Sequence, residues 1–418
     1  LFFQGVVGVS KFDIAVLGTG LAGLFTAVQL VKSGKKVVVF DAALTPGGRS
    51  VNMCVDGSPI EALSHPVHGL ERESVFWRLC ADMGIPDIPL RPATGYQVVL
   101  PRRRITIYPS AEETLQELRR EFPLEADKTA KIYSYTSAQA LKASKSVLTS
   151  YLLRNRSAHA FLKSMRISDE LLAFFDVQSR MLAGHPVSKL SLHTLCFLLT
   201  KQPRAPLGGY SWLAERLCKR FVEMGGELRL DVPWPGIIHR SKKARGLETN
   251  GEFLETRSIV LNAVETGNER RLLLHLKSGI IPEEMKDAVY CLSENTDGNG
   301  LFALLLGEQA ASGQKRDRVT ASAIFTELSA EKTESSAFLD RISTIMPFLS
   351  EFVEWVGEDD PGARSYPLDS DSPLNTISVR EENRFKRSAF KNLYVFPDSG
   401  STFIGALPAS RQLARQLS

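Results

Sequence analysis

The residues of this sequence whose types and spacing could do chemistry lie near its start. Three glycines follow a β-branched apolar run and one aspartate ends a second apolar run: Gly18, Gly20, Gly23 and Asp41. Glycines at this spacing permit a tight turn, let the backbone approach a pyrophosphate, and let the next helix pack closely on a sheet. The carboxylate could accept hydrogen bonds from both hydroxyls of an adenosine ribose. The pattern therefore predicts a dinucleotide site.

The surrounding sequence predicts the elements that would position these groups. Residues 12–17 have the length and β-branching of a buried parallel strand, and residues 37–40 repeat that pattern. Residues 21–33 have the length and apolar content of a helix, whose first N–H groups would point at the phosphates. The alternative is a Gly-rich turn that binds nothing, but strand, helix and acid together favour a nucleotide-binding βαβ unit.

Composition limits the class of protein. The chain has 418 residues, 43% of them hydrophobic and 23% charged, with a formal net charge of +4. This allows two or three domains and gives no argument for a nucleic-acid partner. The five cysteines are dispersed, without C-x-x-C or Cys/His ligand spacing, which indicates reduced thiols in a cytoplasmic protein and no metal site. No apolar run is long enough to predict a membrane span.

A second motif, Gly47-Gly48-Arg49, comes shortly after Asp41. A strand, an acid, a short loop and Gly-Gly-Arg in this order resemble the flavin amine oxidase and phytoene desaturase superfamily, and most of all its phytoene desaturase-like (carotenoid desaturase-like) oxidoreductases. The resemblance implies an α/β fold with a Rossmann-like FAD-binding domain (a GR2-type flavoprotein), a mixed α+β substrate domain and a helical lid region. It also implies FAD as the cofactor, with this motif beside the pyrophosphate.

Two later segments extend the resemblance. Residues 206–210, followed by a predicted helix and strand, are similar to a Gly-Gly turn that faces the flavin in the family. Near the end, Asp398 and the Gly405-Ala406 pair match an acid on the ribityl chain and a helix start at the flavin pyrimidine. On this resemblance the FAD-binding residues are Gly18, Gly20, Leu21, Ala22, Gly23, Asp41, Ala42, Gly47, Gly48, Arg49, Val232, Trp234, Asp398, Gly405 and Ala406.

The sequence departs from the family pattern in the adenine and flavin-ring segments. Trp234 stands where the family usually has a valine beside the adenine, and Pro397 stands where a glycine usually precedes the acid. Pro408 and the residues after it replace a common Ser-Gly pair. The resemblance therefore implies FAD binding more strongly than any particular environment for the flavin ring.

The domain organisation follows from the resemblance. The segments alternate between an FAD-binding domain and a substrate domain: residues 1–10 as a tag remnant and extension, 11–110 as the first FAD-binding part with the start of the substrate domain, 111–205 as the helical lid, 206–265 as the second FAD-binding part, 266–390 as the substrate-domain sheet and helices, and 391–418 as the C-terminal FAD-binding segment.

Apolar spacing predicts further elements. Ser110 with Glu113 forms a capping box for a helix, and apolar residues at helical spacing predict helices over 125–153 and 158–182. Residues 282–290 are also predicted helical, whereas the Asn250-Gly251 pair predicts a β-hairpin.

The candidates for catalytic residues are His65 and Tyr210. The resemblance places the loop with His65 near the isoalloxazine ring, while His65 and His68 as a metal pair would need ligands that the sequence does not supply nearby. Residues 102–104 are three arginines, for which a solvated hairpin turn is favoured over a contact with anionic lipid headgroups.

The resemblance implies an FAD-dependent oxidoreductase that transfers a hydride from a lipophilic small molecule to flavin N5. One alternative is an amine oxidase, which would need an aromatic pair beside the flavin; Tyr210 and Tyr394 are available, but Tyr394 falls in a predicted strand. Another alternative is a flavin-binding assembly or scaffold protein with little turnover. Peripheral contact with a membrane remains open, as does the oligomeric state.

Overall fold

The computed structural model describes residues 10–48, 53–55, 58–60, 66–70, 74–207, 209–262, 269–277, 281–293, 300–306, 318–326, 335–359, 386–387, 391–396 and 403–418. The strands in these ranges are β1 (Ser10–Leu17), β2 (Val37–Phe40), β3 (Met53–Val55), β4 (Ser58–Ile60), β5 (Tyr96–Leu100), β6 (Arg103–Ile107), β7 (Glu227–Arg229), β8 (Gly236–Arg240), β9 (Lys243–Thr249), β10 (Glu252–Leu261), β11 (Glu269–Lys277), β12 (Ala288–Ser293), β13 (Gly300–Leu306), β14 (Arg318–Thr326), β15 (Val353–Asp359), β16 (Lys386–Arg387) and β17 (Leu393–Val395). The helices are α1 (Leu21–Lys32), α2 (Val75–Asp82), α3 (Ala111–Glu121), α4 (Ala126–Lys145), α5 (Val147–Arg154), α6 (Ala158–Ser164), α7 (Asp169–Ala183), α8 (Leu192–Thr200), α9 (Gly209–Glu223), α10 (Ser335–Ser343), α11 (Leu349–Phe352) and α12 (Phe403–Leu417).

The first sheet has parallel strands at its centre, in the order β16-β17-β10-β1-β2-β7. β1 pairs in parallel with β2 and with β10, while β17 and β7 extend the sheet in the same direction. The β8–β9 hairpin joins β10 in antiparallel pairing. Since α1 connects β1 to β2, the predicted βαβ unit is confirmed, and so is the Rossmann-like fold class.

Both faces of this sheet are buried, and β1 shows why its sequence is apolar throughout. Ile14 and Val16 point to the face that packs against α1, α9 and α12, whereas Ala15 and Leu17 point to the face under the β8–β9 hairpin. All four are at most 2% exposed. In an open parallel sheet, the residues just beyond the carboxyl ends of neighbouring strands form a crevice, so the residues after β1, β2 and β10 lie together.

The second sheet runs in the order β15-β11-β14-β13-β12-β5-β6 and is antiparallel except for the β12–β5 pair. One of its faces packs on the helices between α3 and α8. The other face packs on α10 and α11. The apolar residues of β13 and β14 lie at the centre of this sheet, where they pair antiparallel to each other.

The helices from α3 to α8, which we call the middle helices, are shorter than predicted. Helices over 125–153 and 158–182 are each divided in two, because serine side chains start new helices within them. A serine hydroxyl at a helix start accepts the N–H three residues later and satisfies a donor that the helix itself leaves unpaired. The serines that do this for α5, α6, α7 and α8 are Ser146, Ser157, Ser168 and Ser191.

The helix predicted over residues 282–290 is wrong. Residues 288–293 form β12, which lies between β13 and β5 in the second sheet. Tyr290 packs toward the middle helices, while Val289 and Cys291 pack toward α10. A strand with both faces buried lacks the alternation that would distinguish it from a buried helix in sequence.

Other local predictions are confirmed. The Ser110 hydroxyl caps α3, and Asn250 and Gly251 have φ angles of 49° and 77°, as a tight hairpin turn requires. Residues 101 and 102 form the turn between β5 and β6. Of the helices in the described ranges, none combines the length and the apolarity needed to cross a bilayer.

Candidate cofactor site

The first turn of the site leaves β1 and enters α1 around Gly18, whose φ of 106° favours glycine. The Gly18 N–H donates to the Phe40 carbonyl at 2.8 Å, which ties the turn to β2. No side chain caps the start of α1, and its first turn holds no acidic residue. Gly20, Leu21 and Ala22 are half-buried, whereas residues 23–28 are buried. The helix therefore presents accessible N–H groups and its positive dipole end at this edge of the sheet.

Asp41 follows β2 and is buried, at 4% exposure. One carboxylate oxygen accepts the Thr19 N–H at 2.7 Å and also the Thr19 hydroxyl, and the other accepts the Ala43 N–H at 2.9 Å. A carboxylate has about four acceptor positions, so these three bonds leave about one free. Asp41 thus braces the glycine turn, and it retains room for one ribose hydroxyl rather than two.

Thr19 links the three parts of the site and is a residue that sequence reasoning missed. Its side chain, which is 0% exposed, donates to Asp41 and accepts the Gly47 N–H at 3.1 Å. The glycine turn, the acid and the paired glycines are therefore held together by one hydroxyl. Its place directly after a parallel strand and a glycine is the only sequence signal that indicated it.

The second of the paired glycines approaches the glycine turn so closely that a Cβ there would be crowded. Gly47 and Gly48 have φ angles of 136° and 58°. A Cβ on Gly48 would lie 3.2 Å from the Gly20 Cα. Two glycine backbones thus meet in front of the uncapped start of α1, and a Cβ would fill the space between them. This arrangement fits a pyrophosphate, which needs backbone N–H groups and no Cβ in its path.

Asn262, directly after β10, is a second residue that the sequence analysis missed. Its Nδ2 donates to the Gly20 carbonyl at 2.9 Å, and its N–H donates to the Leu17 carbonyl at 2.8 Å. A Cβ on Gly20 would lie 2.7 Å from this Nδ2, and a Cβ on Gly23 would lie 2.6 Å from it. Both glycines are therefore required by packing against Asn262, in addition to any role toward a ligand.

The segment after β7 forms the next wall of the site. The Asp41 N–H donates to the Arg229 carbonyl at 2.9 Å, and the Val232 N–H donates to the Asp41 carbonyl at 3.4 Å. Val232 and Trp234 are half-buried and pack on the apolar cluster beneath the sheet. This places the residues predicted for the adenine beside the residue predicted for the ribose.

The remaining predicted residues lie in α12, in β17 or outside the described residues. Gly405 and Ala406 belong to α12, and further along that helix the Ser410 hydroxyl donates to the Ala22 carbonyl at 2.9 Å. Arg49, His65, Gly208 and Asp398 lie outside the described residues. Tyr394 lies in β17, as its apolar neighbours predicted.

Tyr210 lies near the start of α9, in the apolar cluster on the face of the first sheet that packs against α1. It is 6% exposed, and its hydroxyl donates to the Arg204 carbonyl at 3.3 Å. Burial raises the pKa of Tyr210 far above its ordinary value. The Arg204 backbone also exchanges hydrogen bonds with Val67. These contacts give Tyr210 a structural role, and a proton-transfer role for its hydroxyl finds no support in them.

His68 directly follows Val67, whose backbone pairs with that of Arg204. Its ring is 0% exposed and meets the Phe197 ring edge-on, with centroids 5.9 Å apart. Neither ring nitrogen has a hydrogen-bond partner within the described part of the chain. Burial lowers the pKa of His68 to about 3, so the ring is neutral near pH 7.

A buried tyrosine pair lies on the second sheet where that sheet faces α7. The Tyr96 and Tyr290 rings are 5.5 Å apart, and the Tyr96 hydroxyl donates to the Gln178 Oε1 at 2.6 Å. Burial, followed by the neighbouring tyrosines, raises the pKa of Tyr96 well above its usual value. Both tyrosines belong to the buried apolar cluster between the second sheet and the helices of residues 111–200.

Comparison with known proteins agrees with this geometry. The carrot (Daucus carota) chloroplastic prolycopene isomerase is 25% identical over an alignment 312 residues long, which covers 66% of this chain and 49% of that protein. The neurosporene-forming phytoene desaturase of Rhodobacter capsulatus is 26% identical over 62% of this chain and 53% of its own length. The chain thus spans about half the length of these curated relatives.

Solved structures show the same fold. A Rab GDI from Plasmodium falciparum superimposes with a TM-score of 0.68 at 13% identity, covering 98% of both chains. Putrescine oxidase bound to putrescine gives a TM-score of 0.58 at 14% identity, covering 98% of this chain and 99% of that one. The sequence model of the family described as flavin containing amine oxidoreductase matches residues 21–267, which begin directly after the glycine turn and include α1, Asp41, the paired glycines and Asn262. The chain belongs to the flavin-containing amine oxidoreductase family.

Proposed function

We propose that this chain binds FAD across the carboxyl edge of its first sheet and acts as an FAD-dependent oxidoreductase. The observation that carries the proposal is the junction of two glycine backbones in front of the uncapped start of α1, where a Cβ on Gly48 would lie 3.2 Å from the Gly20 Cα. The buried Asp41 and the segment after β7, which is hydrogen-bonded to it through Val232, would supply the contacts to the adenosine.

The proposed contacts divide by ligand group. The N–H groups at the start of α1, with Gly47 and Gly48, would bind the pyrophosphate, and Arg49 would neutralise part of its charge. Asp41 would accept one ribose hydroxyl, while the backbone at Val232 and Trp234 would hold the adenine. When bound, FAD would supply two-electron chemistry by accepting a hydride from a substrate carbon at N5. The segments 11–110, 206–265 and 391–418 would together form the domain that holds it.

The substrate that we propose is lipophilic. Two relatives are named for phytoene and prolycopene, which are carotenoids. The second sheet faces the middle helices through a continuous apolar interior, with Tyr96 and Gln178 paired to each other. A hydrocarbon chain bound along such an apolar region would need no hydrogen-bond partners, whereas a sugar or nucleotide would have to leave polar groups unpaired there. Residues 111–205 and 266–390 would form this substrate domain.

Amine oxidation is the alternative, and it predicts an aromatic pair beside the flavin. Tyr394 lies in β17 at 7% exposure and has Gln416 within 3.5 Å of its hydroxyl. Tyr210 donates to a backbone carbonyl. Both tyrosines are thus committed to protein contacts, which favours the lipophilic substrate over the amine. A flavin-binding scaffold with little turnover remains an outcome of the experiment below.

The experiment uses the full chain. After purification, FAD released by denaturation is measured by chromatography. The holoprotein is then mixed anaerobically with a carotenoid polyene in liposomes or with putrescine, while flavin absorbance is followed. Bleaching by the polyene supports the proposal. Bleaching by the amine alone would assign amine oxidation instead, and bound FAD that neither compound bleaches would favour the scaffold. Absence of FAD from a folded chain would remove the cofactor from the account.

A further inference from the structure

The middle helices carry an unusual distribution of charge. Between Asp127 and Asp169 the sequence contains eight lysines and arginines and no aspartate or glutamate. The rest of the chain is balanced, since the whole has 51 basic and 47 acidic residues. Lys142, Lys145 and Arg154 are exposed, and they form no ion pair with side chains in the described ranges. This part of the surface is therefore locally and strongly positive.

The same region exposes apolar side chains. The large apolar residues there that face outward, with their exposed fractions, are Leu141 (60%), Val147 (88%), Leu148 (67%), Tyr151 (64%) and Leu152 (54%). These five residues, which we call the α5 face, account for five of the eleven large apolar side chains exposed among the described residues. Leu153, on the opposite side of α5, is buried at 3% exposure. The helix is thus apolar on two sides, and the core accounts for only one of them.

The local structure holds this face outward. Ser146 ends α4 and caps α5, and its hydroxyl accepts the Thr149 N–H at 3.2 Å. Leu141 lies in the last turns of α4, six residues before α5 begins at Val147. Val147, Leu148, Tyr151 and Leu152 follow at i, i+1, i+4 and i+5, which is a single helix face. Lys142 and Lys145 lie between Leu141 and Val147 in sequence, and Arg154 follows Leu152 at the end of α5.

We propose that the α5 face docks the protein on an anionic lipid bilayer. A short helix that places leucine, valine and tyrosine in the interface, with lysine and arginine at its borders, has the composition of a peripheral membrane element. The absence of acidic residues between Asp127 and Asp169 favours anionic headgroups as the partner. A protein surface carries charges of both signs, so a surface that binds one would be expected to contain acidic as well as basic side chains. The proposal stands apart from the redox chemistry, since binding to vesicles can be read without FAD and without turnover.

The three arginines at 102–104 do not offer an equivalent surface. Arg103 pairs with Glu170 at 2.9 Å, and Arg104 donates to the Ile345 carbonyl at 2.9 Å. Only Arg102, in the β5–β6 turn, is exposed. The run forms a hairpin as predicted, but only Arg102 lies in its solvated turn, because Arg103 and Arg104 begin β6. The α5 face is the stronger candidate for contact with lipid.

The experiment is flotation of the full chain with vesicles of phosphatidylcholine alone or of phosphatidylcholine with phosphatidylserine. We expect binding to the mixed vesicles that weakens as salt is added, because exposed charges are screened. Lys142→Glu with Lys145→Glu should lower the partition coefficient by at least about twentyfold, since each basic residue near the surface contributes about fivefold. Arg102→Glu is the matched control and should change binding little.

The apolar contribution is tested separately. Leu148→Ser with Leu152→Ser should lower partitioning by about tenfold, through loss of buried apolar area at the interface. Leu124→Ser is the control, because Leu124 is 96% exposed but lies before α4, away from the α5 face. All of these positions are exposed, so thermal unfolding should be unchanged. Equal binding of wild type and both double variants, or no preference for phosphatidylserine, would overturn the proposal. A concentration-dependent dimer that Leu148→Ser with Leu152→Ser abolishes would also overturn it, since the occupant would then be a second copy.

Discussion

Replacing Thr19 with valine should disconnect the three parts of the cofactor site. Valine has the shape of threonine but lacks the hydroxyl that donates to Asp41 and accepts the Gly47 N–H at 3.1 Å. A hydrogen bond to a charged group contributes about 1.5–3 kcal/mol, and one between neutral groups contributes about 1 kcal/mol. We therefore expect Thr19→Val to lower the free energy of unfolding by about 3 kcal/mol.

Thr26→Val is the matched control. Thr26 is equally buried, at 0% exposure, but its hydroxyl only donates to the Ala22 carbonyl within the same helix, at 2.8 Å. Such a bond duplicates a backbone acceptor that the helix already uses, so its loss should cost less than about 1 kcal/mol. The comparison separates the hydroxyl that joins segments from one that does not.

The assay is urea unfolding followed by fluorescence, with hydrogen exchange of a peptide that contains Gly47. Thr19→Val should also weaken FAD binding by about tenfold or more, because the paired glycines lose their link to the glycine turn. Faster exchange at Gly47 should appear in Thr19→Val and not in Thr26→Val. Equal destabilisation by the two variants, with unchanged exchange at Gly47, would refute the role given to Thr19.

Three further predictions concern single positions. Gly48→Ala should reduce FAD content about tenfold or more, since its Cβ would lie 3.2 Å from the Gly20 Cα at a φ of 58°. Gly34→Ala is the control, because Gly34 also has a positive φ but lies in open space, and it should retain FAD. Equal retention by both variants would count against a pyrophosphate site between the two glycine backbones. His68 is buried with its pKa lowered to about 3, so its stabilising effect is full above the unfolded pKa of 6.5 and is lost as pH falls toward 3. Between those values His68→Leu should remove a slope of about 1.4 kcal/mol per pH unit from the unfolding free energy, and identical pH profiles would contradict this. Tyr96→Phe should cost about 1–2 kcal/mol by leaving the Gln178 Oε1 buried without its donor, measured by denaturant unfolding, and no loss would show that water or another group takes its place.

The βαβ unit could be predicted from sequence because local and tertiary requirements coincide there. The apolar run of β1 is buried on both faces, and Gly18 has the positive φ that its position required. The order of strand, helix, acid and paired glycines then identified the family. Residue spacing could not show that Thr19 and Asn262 complete the site, because their contacts cross from one strand end to another.

Elsewhere the sequence was ambiguous for physical reasons. β12 is apolar on both faces, so periodicity could not separate it from a helix. Residues 125–153 carry a helical pattern throughout, yet the Ser146 cap divides them into α4 and α5. Burial patterns in sequence also could not show that apolar residues of α5 face outward, since only the tertiary arrangement reveals which side of the helix the core covers.

The central claim is that the glycine turn and the paired glycines at the start of α1 hold FAD. It is tested most directly by the amount of FAD bound per chain, measured after reconstitution of the wild-type chain with excess FAD and removal of the free ligand. The account predicts about one FAD per wild-type chain and a large loss in Gly48→Ala with Gly34→Ala unaffected. A folded wild-type chain that retains no FAD, or a Gly48→Ala chain that retains as much as wild type, would contradict it.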